Sequence, residues 1–292
     1  MPDSWLSLMT TLKSLPKRSA QQSHEIVPST LCAEVDRGVR VSCGNCRTGP
    51  HCIAGDLPID ELQKVDQIGF FRRTVRRGEH LYRAGQRFSA LYAVRSGFFK
   101  TSVLLEEGRT QVTGFHMAGD VIGTDGIGTG VQASEAVALE DSDVCVLTFE
   151  RLELLTRSLH GLQRNLHRLL SREIVREQGV MALLGGMSAD ARVAAFLLNI
   201  SYRLQARRYS GQEFNLRMSR EDIGSYLGLK LETVSRTLSR FADEGLLSVH
   251  NKLVRILDME RMHRIAGQST PAARPLGGKP ARDNVVPLRK AG

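Results

Sequence analysis

Residues 31–56 hold four of the chain's five cysteines, Cys32, Cys43, Cys46 and Cys52, and little from which a core could be built. Gly, Asn, Thr and Pro fill much of the stretch, so it buries too little apolar surface to fold unaided. A bound ion or cluster is expected to organise it. The spacing Cys43-x2-Cys46-x5-Cys52 puts three thiols within ten residues. Cys43 and Cys46 can converge from one tight turn, whose strained backbone suits Gly44 and Asn45. Cys52 comes round after a loop containing Gly49 and Pro50. Three thiolates leave one position open, and Cys145, in a β-prone region far downstream, is the best candidate to fill it. Structural zinc usually pairs C-x2-C with a second such pair, whereas iron–sulfur clusters tolerate three local cysteines and one remote. The spacing therefore favours iron–sulfur over zinc. A plain buried thiol is an adequate reading of Cys145 alone and a poor one of the triplet.

The rest of the chain sets a frame around this segment. Its 292 residues suffice for two ordinary domains. Lys+Arg 40 against Asp+Glu 31 gives a net charge of +9, a balance that favours polyanionic partners. No apolar run approaches the about 18 residues needed to span a bilayer. The N-terminus has no basic segment followed by a continuous apolar core, so no secretory signal is read. Cytoplasmic thiols stay reduced, and five cysteines there point to metal or redox chemistry before disulfides.

Composition divides the chain further. Residues 1–30 are polar and patternless, an arm, followed by the cysteine segment at 31–56. From 57 to 156 short β-prone runs such as Leu91-Tyr92-Ala-Val94 and Phe98-Phe99 alternate with Gly78, Gly85, Gly97, Gly108, Gly114 and Gly119. That pattern predicts a small β-barrel or roll, with a hairpin tip at Glu106, Glu107, Gly108 and Arg109. Between 157 and 186 the period becomes helical. Leu170, Ile174, Glu177, Met181 and Leu184 recur at alternating four and three residues, a coiled-coil-like stripe long enough for a dimer seam. Leu159, Leu162, Leu166 and Leu169 extend an apolar face upstream. Residues 187–267 form a second domain, and 268–292 a basic tail rich in Pro and Gly.

That second domain reads as a winged helix-turn-helix. Ser219 and Asp222 make a variant capping box, a helix follows to the turn at Gly228, and another runs from Leu231 to just before Gly245. A β-hairpin wing spans 246–256. Glu232, Ser235 and Arg236 share one face in the first turns of the second helix, where such a helix enters the major groove. Arg can donate to guanine, Glu can accept from cytosine, and Ser is adaptable. Arg240 continues the face and could reach phosphate. Lys230 stands at the N-cap in place of the preferred hydroxyl or acid, an exchange of capping for a cation near the DNA backbone.

These motifs resemble the fumarate–nitrate reduction (FNR) type of oxygen-responsive regulator in the CRP/FNR superfamily. The likeness covers about 32–267. It rests on Cys43-Gly-Asn-Cys46 with Cys52, Leu91 to Gly97, Gly114 to Asp120, remote Cys145, and Asp222 to Leu229 with Glu232 to Arg236. The resemblance implies an α+β chain: a cyclic-nucleotide-binding-like β-roll, a long dimerisation helix and a C-terminal winged helix-turn-helix. It implies a 4Fe–4S cluster on Cys43, Cys46, Cys52 and Cys145. In the family the cluster-bearing homodimer binds TTGAT-N4-ATCAA-like palindromes, and oxygen degrades the cluster and abolishes binding. An acidic residue at Glu177, beside Ile174 in the seam, is implied as a brake on dimerisation without cluster. Lys230 and the extended arms depart from the pattern. Arg47, next to a ligand, is expected to stabilise an anionic cluster. Glu106, Glu107 and Arg109 could touch RNA polymerase.

Three rival readings differ in named residues. A cyclic-nucleotide site needs an arginine for the phosphate, and Gly130 to Ala136 offers Glu135 and no arginine. An iron–sulfur or zinc redox enzyme would use Gly126, Gly128 and Gly130 as a nucleotide loop, but the spacing and a βαβ setting are lacking. A membrane-surface protein is supported by the basic tails alone.

Overall fold

The computed structural model describes residues 39–44, 46, 48, 51–68, 70–106 and 108–267. The expected arms at 1–30 and 268–292, together with Cys32, Arg47 and Glu107, lie outside the described residues.

Short strands separated by tight turns build the first half. They are β1 (Val39–Val41), β2 (Phe70–Val75), β3 (His80–Tyr82), β4 (Ala90–Ser96), β5 (Phe98–Leu104), β6 (Thr110–Met117), β7 (Val121–Ile122), β8 (Glu135–Ala138) and β9 (Ser142–Thr148). Two antiparallel sheets result, ordered β1-β2-β9-β4-β7 and β3-β8-β5-β6. The apolar centres of β4 and β9 are buried because both strands lie inside the larger sheet. Gly97, at φ +90°, turns the chain from β4 into β5, and a Cβ there would come within 2.7 Å of the Ser142 Cα. Only glycine fits both demands.

The strand-like pattern read from about 60 does not hold at its start. Ile59–Ile68 is a helix, α1, with Asp60 and Glu61 in its first turn, where the helix dipole favours acids. Leu62 and Val65, three residues apart, turn one face to the core.

Two helices follow the roll, α2 (Phe149–Ser158) and the long α3 (His160–Gly186), parted by the extended residue Leu159. The second domain comprises α4 (Ala189–Ala206), β10 (Glu213–Asn215), α5 (Arg220–Leu227), α6 (Leu231–Asp243), β11 (Leu247–His250), β12 (Leu253–Ile256) and α7 (Met259–Ile265). Its sheet runs β10-β12-β11, so the wing gains a third strand. Helix α7 was not legible in the periodicity; the Asp258 side chain caps it by accepting from Arg261 N at 2.9 Å.

The apolar face of α3 divides in two. Leu159 and Leu162 are fully buried, and Leu166 and Leu169 pack on the same core with the larger sheet. Farther along, Ile174 and Met181 are 55% and 61% exposed. A second core joins Phe98, Val112, Phe115 and Met117 of the roll to Phe196, Leu197, Ile223 and Phe241 of the winged domain. The rings of Phe115, Phe196 and Tyr226 meet there at centroid distances of 5.2 to 5.9 Å. Polar contacts border it: Lys100 Nζ to Asp222 Oδ1 at 2.6 Å, and Val112 N to Ser225 Oγ at 2.8 Å.

Candidate metal centre and nucleic-acid interface

Cys145 lies in the middle of β9, paired with Arg72 of β2 and with Ala93 of β4. Directly opposed residues share a face of an antiparallel sheet, so Cys145 and Ala93 look the same way. Across from them the cysteine segment folds over the sheet. Cys46 N donates to Cys43 O at 3.1 Å, closing the tight turn that the C-x2-C spacing requires. Asp66 of α1 anchors that turn, accepting from Cys43 N and Ser42 Oγ at 2.7 Å each. Ile53 and Ala54, just after Cys52, are buried in the roll's core. The result is a cavity of about 160 Å³ whose lining includes Cys43, Cys46, Cys52 and Cys145. All four expected ligands therefore face one space. Among the described residues no three His, Cys, Asp or Glu close on a single ion position.

The electrostatics of the cavity oppose bare thiolates. Burial first, then the neighbouring Cys52, pushes the Cys43 thiol far above its usual range. Burial does the same to Cys52. Cys145 is pushed up to about 12 by burial and by Cys52 and Cys46, against the charge of Arg95 and a hydrogen bond from it. Four thiolates held this close need a cation among them.

The segment is tied to distant elements. Asn165 of α3 donates from Nδ2 to Ile53 O at 3.1 Å and to Gly55 O at 2.6 Å. His51 Nε2 lies 3.0 Å from Ala206 O, at the end of α4. Neither contact could be read from the sequence, because nothing local marks a residue whose partner is more than a hundred positions away. Asn165 was missed for that reason, and Asp66 and Arg95 because their partners, 23 and 50 positions away, meet them only in the folded chain.

The winged domain presents its expected helix outward. Ser219 and Asp222 form the reciprocal capping box at the start of α5. Gly228, at φ +62°, ends it, and a Cβ on Gly224 would meet Leu229 O at 2.6 Å, so the turn into α6 folds closely back on α5. Val234, Leu238 and Phe241 are buried, which turns Glu232 and Arg236 to solvent with Ser235 half-buried between them. Lys230 is exposed at the N-cap and makes no side-chain capping bond. Arg240 is held by the Asp190 carboxylate of α4 while remaining 49% exposed. Its first engagement is thus within the protein.

Family models match two stretches: a cyclic nucleotide-binding domain over residues 72–158 and a Crp-like helix-turn-helix domain over 191–265. The transcriptional regulatory protein btr of Bordetella pertussis is 43% identical over 228 residues, 78% of this chain and 94% of that protein. The fumarate nitrate reduction regulatory protein of Klebsiella oxytoca is 41% identical over 236 residues, 81% of this chain and 94% of its own length. The solved structure of FixK2 from Bradyrhizobium japonicum superposes with a TM-score of 0.63 at 31% identity, covering 69% of this chain and 99% of that one. This chain belongs to the CRP/FNR family of transcriptional regulators, and its Crp-like helix-turn-helix is a DNA-binding domain. No helix among the described residues is long and apolar enough to cross a membrane.

Proposed function

We propose that the chain is an oxygen-sensing regulator whose DNA binding depends on a 4Fe–4S cluster held by Cys43, Cys46, Cys52 and Cys145. The observation that carries this reading is the shared cavity: a strand residue and three loop residues, far apart in sequence, bring four thiols to one space. A donor set of thiols alone suits soft metals, and thiols spread around a cavity suit a multi-atom core better than a lone ion. When bound, the cluster supplies the oxygen-labile group.

The chain's own residues do the rest. Asp66 and the sheet hold the thiols in place. Asn165 links the segment to α3, whose exposed stripe at Ile174 and Met181 is the proposed homodimer seam. Glu232, Ser235 and Arg236 would read base edges of a palindromic double-stranded site, with Lys230 and Arg240 near phosphate. The tip at Glu106 and Arg109 follows the exposed Leu104 and offers a surface to RNA polymerase.

Cyclic nucleotides are not the effector in this reading. The stretch Gly130 to Ala136, which would have to supply a cation for a phosphate, offers Glu135, and this carboxylate is committed to Ser102 Oγ at 3.0 Å and His80 Nε2 at 3.1 Å. Ser134 is committed as well, donating from N and Oγ to Asp125 Oδ2 at 2.8 Å each.

The test is purification without air, followed by iron and sulfide assay, an absorbance spectrum and a DNA mobility shift, each repeated after exposure to air. A brown protein that bleaches and releases its palindrome is expected. Full-length protein without iron or acid-labile sulfide, or equal DNA affinity before and after bleaching, would overturn the proposal.

A further inference from the structure

Two arginines flank Cys145 on the larger sheet, and only one is already engaged by a carboxylate in the ion pairs seen there. Arg72, opposite Cys145 on β2, is bound to Asp143 with Nη2 to Oδ2 at 2.5 Å. Arg95 sits two residues beyond Ala93 on β4, at a register shift between Val94 and Ser96, and turns to the same cavity as Ala93 and Cys145. It lines the cavity together with the four thiols. Its guanidinium reaches toward Cys145, yet Nη1 is buried with no hydrogen-bond partner among the described residues. A desolvated guanidinium N–H without an acceptor is unfavourable, and such a group in a native structure calls for an explanation, a bound acceptor being one. Here the adjoining space is rimmed by thiols, and a four-thiolate cluster is an overall anion.

From this geometry we infer that Arg95 is the positioning cation of the cysteine cavity, the donor whose Nη1 is satisfied only when an anionic thiolate cluster fills it. The inference rests on the function proposed above. It makes Arg95 a part of the cluster's surroundings, acting on cluster retention and redox potential rather than serving as a ligand. It also gives opposite signs for two measurements on one substitution. Removing the guanidinium deprives the filled cavity of a donor, but relieves the empty cavity of an unsatisfied one.

The experiment compares full-length wild type with Arg95→Gln, Arg95→Met and Arg95→Lys, all purified without air. Iron and sulfide content, the visible spectrum and the rate of bleaching in air are read on the cluster-bearing proteins, and urea midpoints on the cluster-free ones. Arg95→Gln and Arg95→Met should retain the cluster about 10- to 100-fold less well than wild type. Arg95→Lys, which keeps the charge but not the planar fork, should fall between. The cluster-free Gln and Met variants should unfold at the wild-type urea midpoint or above it. Bleaching at the wild-type rate in both charge-removed variants would overturn the inference. So would a cluster-free midpoint well below wild type, since Arg95 would then be structural. Wild type devoid of iron and sulfide would instead overturn the cluster reading itself.

Discussion

Asp120 illustrates how much one side chain can hold. Its carboxylate accepts from Arg203 at 2.5 Å, from Arg207 at 2.6 Å and from Met117 N at 2.8 Å. Burial alone would raise its pKa; Arg203 and then Arg207 outweigh that and hold it well below the usual carboxylate range. The depressed folded value means the carboxylate stabilises the fold fully above the unfolded pKa of about 3.9 and progressively less as pH falls below it. Replacing Asp120 by Asn leaves two largely buried guanidinium groups facing a neutral amide. The expected loss near neutral pH is about 3 kcal/mol by urea unfolding of cluster-free protein. The gap between variant and wild type should narrow as the buffer is taken below about pH 4, where the wild-type carboxylate begins to lose its charge in the unfolded chain. A gap that widens on acidification would contradict this assignment.

At the scale of elements, α3 carries two different jobs along one helix. Its first turns are buried against the roll, whereas Ile174, Glu177 and Met181 form an exposed strip further on. Glu177 lies three residues after Ile174 and four before Met181, so it shares their face. In a parallel pair of such helices it would meet its own counterpart, and like charges brought together in a partly desolvated seam repel. Glu177→Ala is therefore expected to tighten self-association of cluster-free protein about tenfold, a change of about 1.4 kcal/mol. Sedimentation across a concentration series measures it. An unchanged monomer–dimer balance would remove Glu177 from the seam.

For the whole molecule, the question is how a cavity in the roll reaches helices that meet DNA. Among the described residues, the cysteine segment makes two direct links. Asn165 ties Ile53 and Gly55 to α3, and His51 meets the end of α4. The roll and winged domain also share an apolar core, so a shift of one is felt by the other through close packing. Asn165→Ala removes two hydrogen bonds worth about 1 kcal/mol each. On the proposed cluster reading, and with cluster content matched by absorbance, the cluster-bearing variant should bind the proposed palindrome about tenfold more weakly, the lower end of what two such bonds allow. Bleached protein should be unaffected. Equal affinity of the two holo-proteins would show that the signal takes another route.

The recognition helix, the capping box of the helix before it, the wing and the C-x2-C turn were legible because their determinants are local. Side chains three or four positions apart share a helix face, a glycine permits a turn, and thiols two residues apart share a loop. Helix α1 falls at the start of the stretch read as β-prone, where one ten-residue helix precedes a long run of short strands. Helix α7 was overlooked for its brevity, at seven residues. Local chemistry could name Cys145 as a fourth thiol but could not bring it to the other three; that took the pairing of β9 between β2 and β4. The same holds for Arg95, Asn165 and His51, whose partners arrive only when sheets close and helices dock. Short-range order is written into consecutive residues, whereas the meeting of remote ones depends on burial of a common core, and the cysteine cavity belongs to the second kind.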